Sequence, residues 1–131
     1  MNSILKTLRW TAGGVGGLFT FLFGGMDLIL GVLITFIIAD YATGILAALY
    51  NKELSSEIGY KGIFKKVGII VIIVIAQLAG LAVGAEWLRS TVVGFYIANE
   101  GVSILENIGR MGIPFPKKLS AVLKQLKDDE E

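Results

Sequence analysis

Two acids stand in apolar stretches long enough to cross a membrane. Asp40 falls near the middle of DLILGVLITFIIADYATGILAALY (27–50), and Glu100 near the middle of WLRSTVVGFYIANEGVSILENIG (87–109). An ionised carboxylate facing lipid at that depth costs several kcal/mol. Such an acid must therefore be protonated, hydrogen-bonded across to a neighbour, or hydrated. Three roles follow: polar glue between helices, a wet pore lining, and a proton-coupled transport site. Arg89 is the nearest base along its own helix. By helical rise it sits about 13 Å from the midpoint, too far to pair with Glu100. No basic residue is expected at the acids' own level.

Covalent chemistry finds little support. The chain has no cysteine and no histidine, which removes thiolate nucleophiles, the common zinc ligands and the usual general base near neutral pH. Ser103, close to Glu100, reads as a hydrogen-bonding group. GGVGG (13–17) lacks the lysine and strand context of a phosphate loop. No concentrated basic face suggests nucleic acid. The reading is a non-enzymatic chain with no cofactor and no metal site.

At about 100° per residue, Arg89, Tyr96, Asn99, Glu100, Ser103, Glu106, Asn107 and Arg110 share one arc of about 120°. Asp40, Tyr96, Asn99, Glu100, Ser103 and Asn107 are the candidates for a pore-lining or interhelical polar set. Glu106 and Arg110 stand four apart near a helix end and suit an ordinary ion pair.

The elements that must position these groups are helices. Hydrophobic residues make up 54 % of 131 residues, more apolar surface than so small a soluble domain could bury. The expected fold class is all-α: one polytopic membrane domain, residues 1–131, with three to four transmembrane helices and a short C-terminal amphipathic helix. Residues 1–9 read as a basic leader. Residues 10–24 are apolar but short, about 22 Å of helix against a hydrocarbon core of about 30 Å, so they form a marginal span or a re-entrant segment. The firmer spans are 27–50, 67–85 and 87–108. Gly44 and Ala48 follow Asp40 at four-residue intervals, and Ala76, Gly80 and Gly84 form a second stripe; small residues so placed suit close helix packing. Residues 51–66 read as a polar stretch in which Ser55 or Ser56 could cap a short helix, with Lys61, Lys65 and Lys66 at the headgroups. Pro114 and Pro116 end the last span. Leu119, Val122, Leu123 and Leu126 then give an amphipathic cytoplasmic helix over 116–127, with Lys117 and Lys118 at the membrane surface or the whole helix packed on a neighbour.

Charge orients the chain. With four spans, residues 1–9, 51–66 and 110–131 lie on one side and hold every Lys and Arg except Arg89. That is a positive-inside pattern with both termini cytoplasmic.

Four blocks carry a family likeness: IADYATGILAA (38–48), SSEIGYKGIFKK (55–66), FYIANEGVSILEN (95–107) and GIPFPKKLSAVLKQL (112–126). In order and spacing they resemble the phage-lysis and toxin-secretion holins of Gram-positive bacteria, the group that includes the clostridial toxin-release protein. The likeness covers the chain from about Gly25 onward. It implies a protein of the bacterial cytoplasmic membrane that forms homo-oligomeric lesions and releases an endolysin or a leaderless toxin. The lipid bilayer and further copies of the chain are then its direct partners, and the endolysin or toxin its cargo. The residues alone leave two rivals open, a small proton-coupled transporter and a structural membrane subunit.

Overall fold

The computed structural model describes residues 2–130. Its elements are five helices: α1 (Asn2–Phe23), α2 (Leu28–Tyr50), α3 (Ser56–Val83), α4 (Trp87–Arg110) and α5 (Lys117–Glu130). No strand occurs among the described residues. α2 and α3 are each long and apolar enough to cross a membrane.

α4 is the centre of the assembly. It packs on α2, α3 and α5, while α1 touches α3. The apolar core is Leu30, Leu33 and Ile37 of α2, Ile69 and Ile73 of α3, and Val93 of α4. On each helix these residues continue a three-four spacing, which places them on one side. On α2 the line runs Leu30, Leu33, Ile37, Asp40, Gly44; on α3 it runs Lys66, Ile69, Ile73, Ala76, Gly80. Both lines pass without a break from apolar to polar residues.

Local signals fix the helix ends. Asp27 caps α2 by accepting from the Leu30 amide at 3.1 Å, and Ser55 caps α3 by accepting from the Ile58 amide at 3.2 Å. Gly84, in the left-handed conformation with φ of 72°, closes α3 through its amide to the Gly80 carbonyl. The sequence reading assigned Gly84 to helix packing; it is instead an exposed C-cap, because the chain must reverse at once into α4. Gly80 and Ala76 are buried.

One expectation needs correction. The basic leader and the short apolar segment 10–24 are not separate: α1 is one uninterrupted helix over Asn2–Phe23. Nothing between residues 2 and 9 breaks a helix, so it extends backward through Lys6 and Arg9. The polar stretch 51–66 holds the helix start expected at Ser55 or Ser56, and Ser55 supplies the cap. Capping at Ser55 recruits its later part, including Lys61, Lys65 and Lys66, into the first turns of α3.

Candidate functional site

That early start of α3 creates the site. Lys66 heads the buried line of α3, so its side chain points into the bundle rather than toward headgroups. Its Nζ donates to Asp40 Oδ2 on α2 and to Glu100 Oε2 on α4. Glu100 is only 2 % exposed and Asp40 only 7 %. Three helices are thus tied by one ammonium between two carboxylates. A charge-assisted bond is among the stronger polar contacts a protein makes. Formally one carboxylate remains in excess.

Asn107 extends the network. Its Nδ2 donates to the Asp40 carbonyl at 3.1 Å, to Asp40 Oδ1 at 2.9 Å and to Thr43 Oγ1 at 3.0 Å. Gly44 lies beneath this amide; a Cβ there would stand 3.6 Å from Asn107 Nδ2. A cavity of about 420 Å³ adjoins the network, lined by buried Asp40 and Asn107, by Ser103, and by Lys61, Lys65 and Arg110, whose side chains are exposed. Its walls mix these polar groups with apolar Ile45, Ala48 and Ile58. It leaves space beside the Asp40 carboxylate, a geometry suited to hydrating or exchanging a charge.

A second polar knot closes the opposite end of α4. Arg89, 7 % exposed, grips the turn between α1 and α2. Its Nη1 donates to Asp27 Oδ2 at 2.8 Å, and its Nη2 to Asp27 Oδ1 at 3.0 Å and to the Gly25 carbonyl at 3.1 Å. Its Nε donates to the Phe23 carbonyl. The two-pronged fit holds the guanidinium flat against the carboxylate. Those hydrogen bonds hold the Asp27 carboxyl below the usual carboxylate range. Gly24 permits the approach: it has φ of 80°, and a Cβ there would lie 2.6 Å from Arg89 Nε.

The structure separates the remaining candidates. Tyr96 is half-buried against the apolar core and meets Phe95 edge to face, with ring centroids 5.0 Å apart. Asn99 is half-buried and takes no part in the bonded network among the described residues. The expected pairing of Glu106 with Arg110 is not the one formed. Arg110 Nη2 reaches Glu53 Oε2 at 3.2 Å, across the bend after α2, while Glu106 is exposed. Arg110 is the last residue of α4, and the neighbouring bend offers it a nearer acid. Lys61 pairs with Glu57 at 2.6 Å on the exposed face of α3. Lys65, Lys117 and Lys118 are exposed, and Ala48 is buried.

Lys66 is the residue that sequence reasoning assigned wrongly. The statement that no base shares the acids' level fails for it. A signal existed: with α3 extended to Ser56, Lys66 precedes Ile69 by three positions and Ile73 by seven, so it belongs to the buried line.

Comparison with known proteins agrees with the block pattern. The model of the bacteriophage holin family matches residues 17–128. An uncharacterised 14.9 kDa protein of Clostridium perfringens is 43 % identical, the match covering 96 % of this chain and 97 % of that one. An uncharacterised protein of Listeria monocytogenes is 46 % identical, over 88 % of this chain and 84 % of its own. A protein of Bacillus phage phi105 named "Probable holin" is 30 % identical, over 85 % of this chain and 82 % of its own. No solved structure matches.

Proposed function

Because this chain belongs to the bacteriophage holin family, we propose that it acts as a holin: it gathers in the bacterial cytoplasmic membrane and opens lesions that release an endolysin or a leaderless toxin. The family match over residues 17–128 carries this reading. The two apolar helices supply the anchor. α1 and α4 complete four crossings, since the 22 and 24 residues of these helices give about 33 and 36 Å of rise. Both termini then lie in the cytoplasm with the lysines.

In this mechanism the Asp40–Lys66–Glu100 bridge holds each protomer together. It lets α2, α3 and α4 stand in lipid with their ionic groups turned inward and bonded. Small residues on the open face of α1, Gly13 and Gly17, give neighbouring copies room for close packing.

Inducible expression in a bacterium tests the proposal. Viability, membrane potential and the release of a cytoplasmic enzyme are followed together. An abrupt stop in growth with enzyme release is expected. Accumulation in the membrane without either change refutes it and leaves a structural subunit.

The cavity that reaches Asp40 favours one rival, a proton-coupled transporter. Purified chain in liposomes separates the two: proton-driven uptake of a small solute, with large dextrans retained, marks a transporter.

A further inference from the structure

α5 packs antiparallel to α4. A Cβ on Gly109 would stand 3.6 Å from Phe115 Cε1, and one on Gly101 would stand 3.0 Å from Leu123 Cδ1. That register sets Lys127 opposite Ile97, beyond the level of Glu100. By helical rise the last turn of α5 therefore stands about 20 Å above the inner end of α4. Leu123 is the tooth that holds it there. It fills the notch at Gly101, where Phe36 Cε2 of α2 also comes within 3.3 Å of the missing Cβ.

The side of α5 turned away from the bundle is charged. Ser120, Leu123 and Lys127 are half-buried, whereas Lys117, Lys118, Lys124, Gln125, Asp128 and Asp129 are exposed. Gln125 spends an amide hydrogen on Asp129, at 2.8 Å, on that exposed side. If α4 crosses the membrane, these groups cannot face hydrocarbon at mid-depth. They can face water. Leu119, Val122 and Leu126 also remain exposed. Together with Leu123 they form the stripe of an interfacial helix, flanked by lysines that suit anionic headgroups. The connection from Met111 to Pro116 joins the two arrangements. It contains Gly112 with φ of 78° and two prolines, which donate no backbone hydrogen bond.

We propose that α5 has two seats. In an intact membrane it lies on the inner headgroups with its leucines down. In an open lesion it stands along α4, with Leu123 in the Gly101 notch, and lines the water; the structure holds this upright seat. The inference rests on the holin reading.

The absence of cysteine from the chain makes a direct test available. Gly101→Cys is combined with Leu123→Cys, and membranes taken before and after the onset of enzyme release are oxidised with copper phenanthroline. A severalfold rise in the disulfide-linked fraction after onset is expected. A fraction equally high before onset overturns the proposal, and so does its absence from membranes of cells that have released the enzyme. A second variant, Gly101→Val, fills the notch and leaves the sequence of α5 unchanged. It is expected to accumulate in the membrane, read by immunoblot, yet to lose release of a large enzyme; native release from Gly101→Val overturns the upright seat. Failure of the native chain to release anything refutes the holin reading separately.

Discussion

Lys66→Met would leave Asp40 and Glu100 facing each other across a buried gap. Removing one partner from a buried ionic group costs about 3 kcal/mol, and here two carboxylates lose the same cation. The variant is expected to unfold at lower temperature in detergent and to accumulate poorly. Adding Asp40→Asn and Glu100→Gln to it should restore most of the loss, because the strain is charge rather than shape; continued instability of the triple variant would mean that the lysine stem supplies packing instead. Asp27 gives a pH effect. Its carboxyl is held below its ordinary value by the Arg89 bonds, so its contribution is complete above the unfolded value, about 3.9. It is lost as pH falls through the lower folded value. Thermal stability should therefore drop below about pH 4, and Asp27→Asn should flatten that step. Asp40 and Glu100 were legible in the sequence because acids are conspicuous among apolar residues. Lys66 was not: it follows Lys65 at the end of a polar run, and only the helix start at Ser55 turns it inward. The partner of Arg110 was hidden for the opposite reason, since Glu53 lies 57 positions away and no local spacing points to it.

At the level of elements, apolar periodicity located α2 and α4, and Pro114 with Pro116 marked the break before α5. Helix starts were less visible, because α1 and α3 both extend into charged sequence that still forms helix. Orientation was less visible still. The amphipathic stripe of α5 is equally compatible with a membrane surface and with a neighbouring helix, and the Gly101 notch that selects α4 has no counterpart in hydropathy. The link between α1 and α2 offers a test at this scale. Gly24→Ala places a methyl group against Arg89 and strains a positive φ. It is expected to cost about 1–2 kcal/mol and to free α1 from the bundle. Limited proteolysis near residue 24 should then speed up, and unchanged cleavage would show that Phe19 and Phe23 alone hold α1.

For the whole molecule, the sides on which the two termini lie fix whether the number of crossings is even or odd. Reporter fusions at the two ends should both read cytoplasmic; an N-terminus outside would leave three crossings and set α1 apart. The charge left over at the Lys66 bridge has a consequence for permeation. Beyond residue 116 the four lysines are balanced by four acids, so α5 and the tail contribute no net sign. At the bridge each protomer formally carries one more carboxylate than ammonium. In the lesion proposed above, a ring of protomers would repeat that charge at a single depth and make a narrow opening prefer cations. Mobile ions screen the preference over about 8 Å at physiological salt. The first small conductances in a planar bilayer under a potassium chloride gradient should therefore reverse near the potassium potential. Wider events should drift toward zero as the lesion outgrows its own field.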